Sequence, residues 1–430
     1  MILVKIAALS LSENQIRGFV ASWMGVVLDG VDSFIYALVL VPAMKEILPQ
    51  SGIEATPGNL GYFGSILFSM FLIGWGMAFL WGPLADRFGR VRSLMLAVLC
   101  YSLFTFLGSM AHNIWELGIF RLLAGFGVGG EFVGAATFIA EELPEERRVL
   151  GAGVFNSGYY VGTFVAAGLN YTIGARYGWR AMFVMGGLPA LLIAWIRSNV
   201  KEPARWQLRR KKTGGWTARD SFFALFTEQN RRVTILNCAL WMVSMVGLWA
   251  GSVYAPGAVT QVALRDGYSA ADAARIASRA TMLLATGTII GCLCMPLFVD
   301  RIGRRGALAV YFALMAISIS SGFGYAFYLP NHALQAFLPW LFLVGVGGGS
   351  FSVYWVWMPE QYHTECRGSA LAFASCIGRF VAAGATFLVG IGIAHFGSIG
   401  APVALTSVAF AFGLLVIPFT RETMGQPLPD

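Results

Sequence analysis

"GPLADRFGR" at residues 82–90 returns as "PLFVDRIGRR" at 296–305, aligning Asp86 with Asp300, Gly89 with Gly303 and Arg90 with Arg304. "EELPEERR" at 141–148 returns as "EQYHTECR" at 360–367, aligning Glu141 with Glu360 and Arg148 with Arg367. "AGFGVGGEF" at 124–132 pairs with "VGVGGGSFS" at 344–352, placing Gly125, Gly127 and Gly129 against Gly345, Gly347 and Gly349. Three matches at a nearly constant offset describe one structural plan used twice.

Composition says what that plan is made of. The 430 residues are 57% hydrophobic and 12% charged, with 33 Phe and 13 Trp, far from the balance of soluble domains. A membrane-spanning helix needs about 20 mostly apolar residues. Twelve stretches qualify, approximately 17–42, 59–81, 92–111, 115–139, 149–173, 179–196, 233–258, 280–299, 307–328, 335–358, 369–395 and 400–419. The sequence therefore predicts an all-α polytopic membrane protein whose twelve transmembrane helices form two pseudo-symmetric halves of six. The halves are residues 1–196 and 233–430, joined by a basic linker, 197–232.

The net charge of +8 gathers in particular loops, and the linker alone carries ten basic residues. Lys and Arg in short loops mark the cytoplasmic side. Both termini are expected there, and the charge points to a lipid bilayer rather than to nucleic acid. The opening residues lack the pattern of a cleaved signal, so the first span is expected to remain as a helix. The six cysteines show no metal-ligand spacing and read as packed apolar residues. The histidines fall near helix ends, giving little support to a histidine proton relay. No nucleophile with a base is apparent, so an enzyme is not expected. Gly125, Gly127, Gly129 and Gly130 follow no strand and read as helix-packing positions, not a phosphate loop.

Symmetry separates architecture from chemistry. Asp29 and Asp32 have no acidic equivalent in the seventh span, "WMVSMVGLWAG" at 241–251; Glu131 falls opposite Phe351, and Arg379 opposite Tyr160. A charge at the centre of a membrane is costly, so each of these needs compensation. Asp29 and Asp32 are three apart and share a helix face with Ser22, Gly25 and Tyr36, whereas Val26, Val27, Leu38 and Val41 read as apolar cover elsewhere. Two carboxylates this close cannot both ionise cheaply. One is expected to hold an exchangeable proton, and which one stays open because coupled groups titrate as a pair. Glu131 joins them as a buried carboxyl. The competing reading is of hydrogen-bonded carboxylates that only tie helices together.

Arg379 lies about ten residues into the eleventh span, or ~15 Å at 1.5 Å per residue, near the midplane. A guanidinium there wants an anion, either a protein carboxylate or that of a substrate. Asn156, Tyr159, Tyr160, Tyr354, Trp355 and Tyr36 are further candidates to line a substrate cavity.

The paired D-R-x-G-R loops, the six-plus-six plan and the long central loop resemble the major facilitator superfamily. "LDGVD" at 28–32, "GVGGEF" at 127–132 and "GWRAMFVMGGLPALLIAWIRSNVKEPARW" at 178–206 resemble its proton-coupled organic-anion symporters, the sialate/lactate and aromatic-acid branches. Val91 stands where the motif is often basic, and Pro296 replaces its first glycine in the second copy. The resemblance implies that Asp86, Arg87, Arg90, Asp300, Arg301, Arg304, Glu141, Arg148, Glu360 and Arg367 gate the cytoplasmic helix ends, and that Arg121 takes part in proton transfer. It also implies a monomer of the bacterial inner membrane that takes up a small organic anion, such as a monocarboxylate, sialic acid or aromatic acid. Protons would be the coupling ion, with no other cofactor. A neutral-solute facilitator and a proton-driven efflux antiporter are alternatives on the same fold.

Overall fold

A computed structural model describes residues 13–81, 90–142, 145–188, 222–426 and 429. The first half contains α1 (Glu13–Gln50), α2 (Pro57–Gly76), α3 (Arg90–Gly108), α4 (Ile114–Glu142), α5 (Glu145–Leu169) and α6 (Trp179–Met185). The second contains α7 (Arg231–Ser252), α8 (Ala255–Arg265), α9 (Ala270–Gly324), α10 (Ala333–Gly348), α11 (Ser350–Trp357), α12 (Thr364–Phe396), α13 (Gly400–Leu405) and α14 (Ser407–Val416). The expected linker falls mostly outside the described residues, as do Asp86, Arg87 and the end of the sixth span.

Local chemistry sets the helix ends. Thr56 is extended and accepts the Asn59 amide at 3.2 Å, with Pro57 beginning α2; a capping oxygen and a proline at the first turn are favourable there. Ser269 accepts the Asp272 amide at 3.1 Å and opens α9. That start lies well before the expected span at 280. The alanine-rich "SAADAARIASRA" is a strong helix former, although its charges keep it out of an apolar window.

At 55 residues, a straight α9 would run about 80 Å, well over twice the ~30 Å of a bilayer core. It turns at Gly303, whose φ of 77° and ψ of 177° are non-helical. A positive φ suits glycine. The expected eighth and ninth spans are thus the two arms of α9 on either side of Gly303, and the repeat motif sits at the turn.

Within the first half α1 packs on α5 and α2 on α4; across the halves α2 packs on α12 and α5 on α9. Glycine permits these approaches. A Cβ at Gly30 would strike the backbone carbonyl of Tyr159, and one at Gly162 the carbonyl of Val27. Gly125 likewise presses on the Phe71 carbonyl, in keeping with its reading as a packing residue. Leu388, Leu405, Val408, Phe412 and Leu415 are exposed on the outside, where lipid tails are their natural solvent. Val26, expected among the apolar cover, is fully buried.

Candidate functional site

The two acids of α1 are both fully buried but look to different partners. Asp32 accepts a short hydrogen bond from the Thr105 hydroxyl of α3. Its Oδ2 is 4.0 Å from Arg121 Nη1 of α4. The Arg121 guanidinium lies 4.2 Å from the ring centroid of Phe71 and 4.9 Å from that of Tyr36. Aromatic faces thereby supply part of the attraction that water would otherwise provide. Tyr36 spends its hydroxyl on the Gly64 carbonyl at 3.0 Å, so it walls this pair.

Asp29 turns toward Glu131 of α4 and interacts electrostatically with Glu131, Asp32 and Arg379. The Glu131 carboxylate is seated against Gly25, one turn before Asp29, where an added Cβ would overlap its Oε1. Tyr101 of α3 adjoins the same carboxyl. The sequence reading of a common acidic face is thus refined: the stripe divides into an Asp32–Arg121 pair and an Asp29–Glu131 pair.

Arg379 of α12 is 3% exposed. One Nη1–H bond goes to the Ser375 carbonyl of its own helix at 2.8 Å, whereas Nε has no hydrogen-bond partner. Its guanidinium carbon stands 4.2 Å from the ring centroid of Trp75 of α2. Tyr159 and Asp29 are among its electrostatic neighbours. Trp249 of α7 completes this centre, with its ring 5.6 Å from Trp75, 6.0 Å from Tyr159, 5.7 Å from Phe68 and 6.3 Å from Phe34. Charges and rings of both halves therefore converge at one buried point.

The remaining candidates are distributed around it. Tyr160 packs edge-on to Tyr159 at 5.4 Å. Asn156 belongs to a separate clasp between halves: its Nδ2 donates to Cys292 Sγ of α9 at 3.3 Å, and its Oδ1 accepts from Trp355 Nε1 of α11 at 3.3 Å. Tyr354 donates to the Leu240 carbonyl and meets the Ser244 hydroxyl, both at 2.8 Å, which ties α11 to α7.

Of the gating candidates, Arg304 and Glu360 form a bidentate pair, Nε to Oε2 at 2.9 Å and Nη2 to Oε1 at 2.7 Å. Arg367 donates instead to the carbonyls of Pro359, Tyr362 and Pro429. Asp300 and Arg301 are exposed, and Arg148 is half-buried. Asp86 and Arg87, and the side chains of Arg90 and Glu141, lie outside what is described. A partner absent from the sequence reading is Glu422, whose carboxylate accepts the amides of Arg304 and Arg305 at 3.0 Å each. It caps the helix segment that restarts after Gly303. Burial pushes its carboxyl upward, but four backbone amides, from Arg305, Arg304, Met424 and Thr423, outweigh that and hold it below the ordinary glutamate value.

Sequence reasoning also missed Thr105, Trp75 and Trp249. Trp249 lies in "WMVSMVGLWAG" at 241–251, whose distinguishing feature in the sequence is its lack of acids.

A polytopic helical bundle in which buried charges of two repeated halves meet at their interface defines a membrane transporter. Residues 22–387 match the Major Facilitator Superfamily, and the chain belongs to that family. It is 29% identical over 428 residues to a probable 4-methylmuconolactone transporter of Cupriavidus pinatubonensis, covering 96% of this chain and 94% of that one. It is 26% identical to the niacin transporter NiaP of Acinetobacter baylyi, covering 94% and 93%. A crystal structure of a D-xylose-proton symporter superposes with a TM-score of 0.75 at 22% identity, covering 96% of this chain and all of that one, a likeness of fold.

Proposed function

We propose that this protein is a secondary active transporter of the bacterial inner membrane, a monomer with both termini cytoplasmic, that takes up a small organic anion together with protons. The observation that carries the proposal is a buried Arg379 from the second half, with part of its guanidinium unsatisfied, at a point walled by Trp75, Tyr159 and Trp249 and within electrostatic reach of Asp29 from the first half. Arg379 binds the carboxylate of the substrate. While Asp29 is ionised it competes for the same guanidinium; once it takes a proton, Arg379 is released to the incoming anion. Glu131 is the proton partner of Asp29, and the Asp32–Arg121 pair is a second site that opens or closes with protonation. Such mutual exclusion makes proton and anion occupancy interdependent, as symport requires. The names of the relatives, each a carrier of a small acid or lactone, agree with an organic-acid cargo.

Purified protein in proteoliposomes provides the test. Labelled benzoate and nicotinate should accumulate against their own gradients when an inward proton gradient is imposed. Uptake that ignores the proton gradient overturns the coupling, and transport restricted to neutral solutes overturns the anion.

A further inference from the structure

Trp249 is the one aromatic residue of the second half whose ring packs, among the described residues, against Phe34, Phe68, Trp75 and Tyr159 of the first half together. It is 5% exposed, and its contacts with Trp75 and Tyr159 are edge-to-face, with interplanar angles of 76° and 77°. These two edge-to-face contacts have a preferred geometry with its own attraction beyond area. Because transport rocks one half against the other, separation of the halves must withdraw Trp249 from these rings. Trp75 and Tyr159 then each lose their contact with Trp249.

The polar groups in the same place are few and convergent. Asp29, Ser33, Tyr159 and Arg379 each bring a buried polar atom that lacks a hydrogen bond of good geometry. Apolar aromatic walls with a small number of unsatisfied polar groups describe a ligand site rather than packing alone. The Arg379 guanidinium stands over Trp75, so a carboxylate bound by it lies beside the indole that Trp249 also touches.

We infer that Trp249 is a specificity-determining residue: it closes on the ring of a planar, ring-bearing carboxylate held by Arg379, and so selects cyclic over acyclic acids. A planar ring between Trp75 and Trp249 replaces the aromatic contact that opening breaks. An acyclic acid satisfies Arg379 but does not replace the contact between the two indoles. This inference rests on the anion reading above and adds the shape of the anion.

The test uses the full chain in proteoliposomes, with initial rates for benzoate and nicotinate as ring acids and for L-lactate and pyruvate as acyclic acids. Wild type should prefer the ring acids. Trp249→Ala should raise the apparent KM for ring acids about tenfold more than that for acyclic acids, whereas Trp249→Phe should retain the preference. Should Trp249→Ala fail to reach the membrane, Trp249→Leu against Trp249→Phe makes the same comparison of bulk without a ring. Wild type that moves acyclic acids but not ring acids overturns the role of Trp249 and leaves the anion reading standing. An equal loss for both kinds of acid in the variant also overturns it. Wild type that moves neither kind of acid removes the anion reading and this inference with it.

Discussion

Arg379 of α12 lies over the indole of Trp75 of α2, the guanidinium carbon 4.2 Å from the ring centroid. A cation from the second half is thereby held against an aromatic face from the first, at a place where hydrogen bonding leaves part of the guanidinium unsatisfied. The cation–π contact lowers the cost of a buried cation without consuming its fork of donors. It keeps the cation in the site and still available.

That relationship separates charge from geometry. Arg379→Lys keeps the charge but loses the planar fork. Apparent affinity for a carboxylate substrate should fall at least about thirtyfold, corresponding to about 2 kcal/mol or more. Arg379→Gln should abolish concentrative uptake. Initial-rate uptake at fixed proton gradient measures both; normal transport of an acid by the Gln variant would remove Arg379 from binding.

The acids predict a different phenotype. Glu131→Gln and Asp32→Asn should each lose uphill accumulation while exchange of labelled for unlabelled substrate continues, since neither touches Arg379 through a hydrogen bond. Gly25→Ala offers an independent approach, because its methyl would overlap the Glu131 carboxylate and push that flexible side chain away from Asp29. Its accumulation ratio should fall toward that of Glu131→Gln at similar expression. Unchanged accumulation in all three variants would show that the proton moves elsewhere.

Asn156 was a candidate for substrate contact, and the structure gives its amide two inter-half partners, Cys292 and Trp355. Cys292 lies on α9, the helix that carries Arg304, and Trp355 lies on α11, just before Glu360. Asn156→Ala removes two hydrogen bonds worth roughly 0.5–1.5 kcal/mol each, so the closed arrangement should be less populated. Cys292 should then react with a maleimide about tenfold faster, read site by site by mass spectrometry. An unchanged rate with intact folding would mean that the clasp does not govern opening.

Much of this was legible in the primary structure, for identifiable reasons. Repeated motifs carry topology directly, and an uncompensated charge in an apolar run is costly enough to stand out, which is why Asp29, Asp32, Glu131 and Arg379 could be selected beforehand. Partners could not. Spacing places Asp29 and Asp32 on one face, yet the choice of Arg121 for Asp32 and of Glu131 for Asp29 depends on how α1 is rotated against α4. That rotation is set by contacts such as Gly25 on the Glu131 carboxylate of α4 and Gly30 on the Tyr159 carbonyl of α5, between residues distant in sequence. Aromatic residues hide for another reason: in a chain with 33 Phe, 14 Tyr and 13 Trp, Trp249 is distinguished only by its neighbours. Glu422 escaped because its motif looked complete without the tail.

Glu422 yields a prediction in which pH is the variable. It lies beyond the last span, which ends at Phe419, and its carboxylate caps the turn at Gly303 through the Arg304 and Arg305 amides. The same segment is fixed by Trp357 Nε1 donating to the Arg421 carbonyl at 3.1 Å. The Thr423 hydroxyl also bonds Glu360, which itself pairs with Arg304. Because its carboxyl titrates below the ordinary glutamate value, the folded state favours the ionised form. The sign follows from linkage: this contribution is fully present above the unfolded value of about 4.3 and is lost as pH falls through the lowered folded value. Attachment of residues 420–426 should therefore be indifferent to pH between about 6 and 8 and weaken only in acid below about 4. Glu422→Gln should show the weakened attachment already at neutral pH. Amide hydrogen exchange at Arg304 and Arg305 reports the cap. Protection that is equal in wild type and variant at neutral pH would show that Glu422 does not hold the turn.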